Sequence, residues 1–315
     1  MASPILVIGS FVQDLTFFVE RFPVAGETLV GRFVTGPGGK GSNQAVAAAR
    51  AGVKTAFIGA VGQDSFGDQA EKFLTQEGID RHLLRIPHAA TGTAGITVNA
   101  DGQNQIVVAL GANEKFSASD IDPVLLAGAK ILVLQFEIHP QTVRDLLQLA
   151  QASGKITILN PAPMNAAMDF SMLDLVDIFI PNETEFVTVM QRHPAILEKS
   201  FTEDQLAVLT TGELHARCRK LGIKTVIVTL GKRGCFISQA DYSEMIPVCQ
   251  GIVAIDTTGA GDAFVGGFAA GLILFEGEIG RAARYANIVA GLSVTKMGTA
   301  PAMPTKAEID AFSNW

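Results

Sequence analysis

A chain of 315 residues that is 48% apolar and 17% charged can bury one large core, as a single domain or as a domain with a small appendage. A net charge of -7 and a pI near 5.3 argue against a protein that grips a nucleic-acid backbone, and no Lys/Arg run offsets them. An isolated basic pocket for a nucleotide is still allowed.

The start, "MASPILVIGS", lacks the basic region and the apolar length of a signal peptide. Its "ILVIG" (Ile5 to Gly9) is the first buried strand. From about 13 to 37 the chain reads as short, partly polar strands with turns. That stretch runs into "GPGGKGSN" (Gly36 to Asn43), which has the spacing G-x-G-x-x-G between a strand (Gly31 to Thr35) and a helix (Gln44 to Ala51). The pattern is the dinucleotide-binding fingerprint. However, a Rossmann fingerprint follows the first strand of its unit, and here that strand ends in "GSFVQD" with no glycine triplet. Buried strands follow at "TAFIG" (Thr55 to Gly59), "ILVLQ" (Ile131 to Gln135), "TILN" (Thr157 to Asn160), "IFIPN" (Ile178 to Asn182) and "TVIVTLG" (Thr225 to Gly231). Helices are expected at Asp64 to Glu77, Pro140 to Ser153 and Glu213 to Leu221, with an irregular surface excursion over 190–211. Short apolar runs alternating with longer amphipathic stretches predict an α/β fold with a mostly parallel sheet. The hairpin Gly95 to Leu110, turning at Asp101-Gly102, and the 13–37 segment predict a small β lid over the sheet's carboxyl edge. Alternatively, both β pieces merely cover a sheet edge.

Near the C-terminus comes "AIDTTGAGDAFVGGFAAGL" (Ala254 to Leu272). A strand is expected to end near Asp256, a tight loop to cover Thr257 to Gly261, and helices to run from about Asp262 to Leu274 and from Ile279 to Thr295. Free N–H groups and the positive end of the helix dipole then converge on one point, which favours a phosphate. Asp262 reads either as the helix N-cap or as a general base beside that anion hole. No Lys-Ser/Thr follows the glycines, so the loop is not a Walker A motif. The apolar run Ala263 to Phe275 is about 13 residues, short of the roughly 20 that span a bilayer, and its Gly267 and Gly271 point to close helix packing. Cys218, Cys235 and Cys249 make no C-x-x-C pair, as expected of reduced thiols in the cytoplasm.

At its two glycine loops, "GGKGSNQAVAAARAG" (Gly38 to Gly52) and "DTTGAGDAFVGGF" (Asp256 to Phe268), the chain resembles the ribokinase family of sugar kinases. "GSFVQDL", "VGQDSFG" (Val61 to Gly67), "LQFE" ending at Glu137, "LNPAP" (Leu159 to Pro163), "PNETE" (Pro181 to Glu185) and "TLGKRG" (Thr229 to Gly234) extend the resemblance over almost the whole chain. It implies a single domain over residues 1–315, a three-layer sandwich around a mostly parallel sheet with a small β lid. It also implies a phosphotransferase that uses ATP with Mg²⁺ and a K⁺ activator, and a homodimer formed through the lid. In that resemblance the first glycine loop grips sugar, not a pyrophosphate.

By the resemblance, Asp14, Gly39, Lys40, Gly41, Asn43 and Glu137 match sugar-binding positions. Asp262 matches the base that takes the proton of the sugar's primary hydroxyl. Gly259, Ala260 and Gly261 match the anion hole. Asn182 and Glu185 match an N-x-x-E motif, with Glu185 near Mg²⁺ through water. Thr229, Leu230, Gly231, Lys232, Arg233 and Gly234 match a nucleotide-binding turn, although alone they could be a strand-end turn. Asn287 sits where the family lines the adenine pocket. Asp256, Thr258, Ser293, Lys296, Gly298 and Ala302 match the potassium site, where Ala302 replaces a frequent serine. The implied reaction is ATP-dependent phosphorylation of the 5-hydroxyl of D-ribose. Val12 stands where many members carry an asparagine that touches sugar hydroxyls, which keeps 2-deoxyribose or another sugar or nucleoside open as substrate. A catalytically silent binding relative would be free to lose Asp262, the glycine hole and Glu185, and all are present.

Overall fold

The computed structural model describes residues 2–164 and 168–312. Strand β1 (Ile5–Ile8) shows how its layers arise. Alternate side chains of a strand leave opposite faces; Ile5 and Val7 enter one apolar cluster, Leu6 and Ile8 the other. A strand apolar at every position therefore lies inside a sheet covered on both sides. Next come β2 (Val12–Phe18) and β3 (Arg32–Gly38), helix α1 (Lys40–Arg50), β4 (Thr55–Gly62), α2 (Ser65–Gln76) and β5 (Asp80–Ile86). The hairpin β6 (Gly92–Val98) and β7 (Asn104–Ala109) leads to α3 (Pro123–Gly128), β8 (Ile131–Leu134), α4 (Pro140–Ala152) and β9 (Ile156–Leu159). The second half holds β10 (Ile178–Phe179), α5 (Glu183–Arg192), α6 (Glu203–Ala207), α7 (Thr211–Lys220) and the strands β11 (Thr225–Thr229), β12 (Cys235–Gln239) and β13 (Tyr242–Ile246). It closes with α8 (Ala260–Leu274), α9 (Ile279–Ser293) and α10 (Lys306–Phe312).

The large sheet has the order β13-β12-β11-β10-β9-β8-β1-β4-β5, parallel except where β12 pairs antiparallel with β11 and β13. Helices α1, α8 and α9 pack on one face and α4, α5 and α7 on the other. The smaller sheet, β3-β2-β6-β7, is built from the two segments that break the α/β rhythm. β2 pairs with β6 in parallel and with β3 antiparallel, from Val12 opposite Gly38 to Phe18 opposite Arg32.

Three local expectations are corrected. No strand ends near Asp256: residues 252–256 form none. The N–H groups of Ile255 and Asp256 bond the Val294 carbonyl at the end of α9 (2.7 and 3.2 Å), and Ile255 is 65% exposed, so this stretch leans on a helix end rather than on the sheet. "IFIPN" is strand only over Ile178–Phe179, resuming as a single bridge from Asn182 to Thr229. Both glycine-loop helices begin earlier than the sequence indicates, at Lys40 and Ala260, because a left-handed glycine stands directly before each (Gly39 φ 92°, Gly259 φ 79°). Asp262 is accordingly a first-turn residue and not the N-cap.

Among the described residues no helix is long and apolar enough to cross a membrane. Helix α8 owes its glycines to packing. A Cβ at Gly266 would stand 2.3 Å from the Gln44 carbonyl oxygen on α1, and one at Gly271 would stand 2.8 Å from Ala282 Cα on α9.

Candidate active site

The carboxyl ends of β1, β8, β9, β10 and β11 open toward the N-termini of α1 and α8. Polar residues that interrupt apolar strands converge there. The first glycine loop lies directly on the end of β1. Ser42 N–H bonds the Ser10 carbonyl (2.9 Å), and a Cβ at Gly39 would meet Val12 N at 2.6 Å. Ser10 Oγ donates to Glu137 Oε2 (2.5 Å), which also accepts the Lys40 backbone N–H (2.8 Å). One buried carboxylate thus joins β1, β8 and α1.

Asp262 is 6% exposed. Its Oδ2 accepts Asn43 Nδ2 (2.9 Å) and its Oδ1 accepts Gln44 Nε2 (3.0 Å). Lys40, Asn182, Glu185, Thr229, Gly259, Ala260, Gly261 and Asp262 line one cavity of about 170 Å³, together with Asn160 and Thr257. A side chain on Gly261 would meet no atom within 4 Å, so its bare backbone faces open space. Burial pulls the Lys40 ammonium down, but Asp262, Glu137 and Glu185 outweigh it and hold the group above the usual lysine range. Burial raises the Glu185 carboxyl, and Asp262 adds like-charge repulsion, against the Asn182 N–H and Lys40. Both Glu185 oxygens are engaged by Asn182, through its N–H (2.9 Å) and its Nδ2 (3.0 Å), in a capping box that starts α5.

Asp14, on β2, reaches this cluster from the smaller sheet. Its Oδ2 accepts Thr299 Oγ1 at 3.4 Å, and its carboxylate occupies the space a Cβ at Gly38 would need. Burial pushes its carboxyl up to about 7; the Thr299 hydroxyl lowers it, and Glu137 and Asp262 raise it further.

Other expected positions stand apart from the cavity lining. In the turn after β11, Leu230 N–H bonds the Gly234 carbonyl (2.8 Å), and Arg233 pairs with Glu183 (2.7 Å); of Thr229 to Gly234 only Thr229 lines the cavity. Asn287 Nδ2 is taken by the Ile246 and Pro247 carbonyls (3.3 and 3.1 Å). Asp256 accepts the N–H groups of Thr258 and Gly298 (both 2.9 Å) and so ties two loops together. Ser293 Oγ donates to the Ala290 carbonyl, Lys296 pairs with Glu308, and Ala302 lies in a short turn.

Sequence reasoning missed Ser10, Gln44, Gln135, Asn160 and Thr299. Ser10, Gln44 and Asn160 lie inside the quoted motifs "GSFVQDL", "GGKGSNQA" and "LNPAP", so the signal was a polar residue at a strand end or on a buried helix face. Thr299 carries no local signal; only the fold brings it to Asp14.

The pfkB family carbohydrate kinase profile matches residues 2–306. The chain is 38% identical over 317 aligned residues to the ribokinase of Haemophilus influenzae, covering 99% of each chain. It is 34% identical to the deoxyribokinase of Salmonella typhi, covering 98% of each. The structure of Arabidopsis thaliana ribokinase complexed with ribose and ATP superposes with a TM-score of 0.86 at 30% identity, covering 100% of both chains. The fold is therefore the ribokinase-like α/β sandwich, and the chain belongs to the pfkB family of carbohydrate kinases, phosphotransferases whose acceptor is an alcohol.

Proposed function

We propose that this kinase transfers the γ-phosphoryl group of ATP to the 5-hydroxyl of D-ribose, with Asp262 as general base. The observation that carries the reading is the buried Asp262 carboxylate, held by one amide on each oxygen beside the Gly259–Gly261 turn. As the hydroxyl oxygen bonds to phosphorus, its proton passes to Asp262 while the bond from phosphorus to the bridging oxygen breaks and ADP leaves. The N–H groups of Gly259 and Gly261, at the positive end of α8, and the Lys40 ammonium would face the charge on the moving group, while the Ala260 N–H bonds the Thr257 carbonyl (3.2 Å). Asp14 and Glu137 accept the other sugar hydroxyls, beside Gly39, Gly41 and Asn43.

Mg²⁺ would neutralise the phosphate oxygens. Asn182 occupies both Glu185 oxygens, so a hydrated ion reached through water suits this donor set. K⁺ would sit beside the glycine turn. The Ser293 and Lys296 side chains are committed elsewhere, which leaves backbone carbonyls of the 256–258 and 293–302 loops as its donors. The exposed apolar side chains of the smaller sheet, among them Phe17, Phe33, Ile106 and Val107, support a homodimer closed through that sheet. Free cysteines, two of them buried, suit a cytoplasmic enzyme.

A second reading, 2-deoxyribose as acceptor, is favoured by Val12. It is buried and apolar at the start of β2, between Gly38 and Gly92, and a deoxyribokinase is among the relatives.

A coupled ADP-release assay over ribose, 2-deoxyribose, fructose and nucleosides, with and without K⁺, tests the substrate. Asp262→Asn is expected to lower kcat by roughly a thousandfold with sugar binding retained. Turnover within tenfold of the parent would remove Asp262 as the base.

A further inference from the structure

Asp262 is held by a residue whose own orientation is dictated from a distance. The Ile180 carbonyl only accepts, so Asn160 turns its Nδ2 toward it (2.9 Å) and its Oδ1 toward Gln44. Gln44 must then present Nε2, which donates to Asn160 Oδ1 (3.2 Å) and to Asp262 Oδ1 (3.0 Å). Its Oε1 faces the other way and accepts Gln135 Nε2 (2.7 Å). Gln44 and Gln135 are fully buried. At the far end Gln135 Oε1 has no partner among the described residues and fills the space beside Gly9, where a Cβ would stand 2.0 Å away. A buried acceptor left unpaired calls for an explanation. Turning the Gln135 amide over would set its oxygen against Gln44 Oε1 and undo the chain. Gly266, one turn after Asp262, lets α1 and α8 approach closely enough for Gln44 to reach the carboxylate.

We propose that Gln44 is a positioning residue for phosphoryl transfer. The buried amide chain Gln135–Gln44–Asn160 points the second N–H of Gln44 at Asp262 Oδ1, so the carboxylate stays in the rotamer that faces the Gly259–Gly261 turn. Asn43 supplies the matching donor for Oδ2, but it stands at the sugar loop; Gln44 reaches the cavity only through Asp262 and Asn160 and is not itself one of its lining residues. Its loss therefore acts on the chemical step and not on binding. The inference rests on Asp262 as the base.

The test measures kcat and both KM values for Gln44→Met, beside Asp262→Asn. Gln44→Met is expected to lose about ten- to hundredfold in kcat, with the KM for sugar and for ATP within about threefold of the parent. A kcat within twofold of the parent, with Asp262→Asn inactive, would overturn the positioning role and leave the base in place. An active Asp262→Asn would instead sink the reading beneath it. If Gln44→Met fails to fold, Gln44→Glu decides. It keeps the size but sets a carboxyl oxygen against Asp262, and a protonated carboxyl can donate again. Its kcat relative to the parent is expected to rise about fivefold or more on lowering the pH from about 8 to about 5.5. An unchanged ratio would overturn the proposal.

Discussion

Asp14 shows how a binding group opposes stability. Its carboxyl, pushed up to about 7 chiefly by burial, holds a proton more tightly in the native state than an aspartate of the unfolded chain, whose ordinary value is 3.8. Its contribution thus favours folding below about pH 4 and is lost as the pH rises through 7. Asp14→Asn is expected to gain on the order of 2 kcal/mol in urea melts at about pH 8.5 and nothing at about pH 4. On the proposed reading the same change removes an acceptor for two sugar hydroxyls. The parent's sugar KM is expected to fall between about pH 6 and pH 8, and that of Asp14→Asn to stay high and flat. Val12 is the second decisive position. If the proposed sugar site is right, a valine there leaves a sugar hydroxyl without a partner at a cost of about 1–3 kcal/mol. Val12→Asn is expected to shift the kcat/KM ratio toward ribose over 2-deoxyribose by roughly tenfold; an unchanged ratio would acquit Val12. Both residues were visible in "GSFVQD", but the proton affinity of Asp14 was not. It depends first on burial, and then on Thr299, Glu137 and Asp262, which lie far away in the chain.

At the scale of elements, the two glycine loops do similar jobs with different geometry. Gly39 and Gly259 each adopt a left-handed backbone that starts a helix at once. Gly261, one residue before Asp262, has ordinary helical surroundings and nothing near its missing Cβ. Gly261→Ala is therefore expected to melt at or slightly above the parent temperature, since alanine suits a helix better by about 0.5–1 kcal/mol. Its kcat is expected to fall at least tenfold, because the methyl group projects where the phosphoryl group approaches. A fall in stability with kcat retained would show that the turn is structural only. Motif spacing located both loops; the expected helix starts fell two to four residues late, because a left-handed φ at glycine leaves no mark in hydrophobic periodicity. The missing strand before Asp256 has a related cause. "IVAI" has strand composition, but Val253 and Ile255 stay exposed because the neighbouring surface is the end of α9.

At the scale of the molecule, the smaller sheet leaves one face apolar and uncovered. The Phe17 and Phe33 rings, on paired strands, lie 5.0 Å apart with their planes tilted by 40°, and Val107 is 76% exposed. A contiguous patch of this kind marks an interaction surface. If a second copy covers it, Phe33→Lys combined with Val107→Lys is expected to turn a dimer into a monomer in sedimentation runs. A wild-type chain that sediments as a monomer at micromolar concentration would exclude that role. The same sheet carries Asp14 into the site, so a monomeric variant is also expected to bind sugar more weakly while D-ribose-independent ATP binding is kept.

The sequence by itself determined the α/β class, the mostly parallel sheet and the family. Apolar runs without alternation require strands covered on both faces, and the two glycine loops carry the family's motifs. These features are local, written in neighbouring residues. Only the tertiary structure decided how Asp262 is held, where Thr299 meets Asp14, and which way the amides of Gln135, Gln44 and Asn160 point. Those contacts join residues up to 285 positions apart. Hydrogen-bond direction there is set by a carbonyl at the end of another strand, and no pattern of neighbours in the chain can encode it.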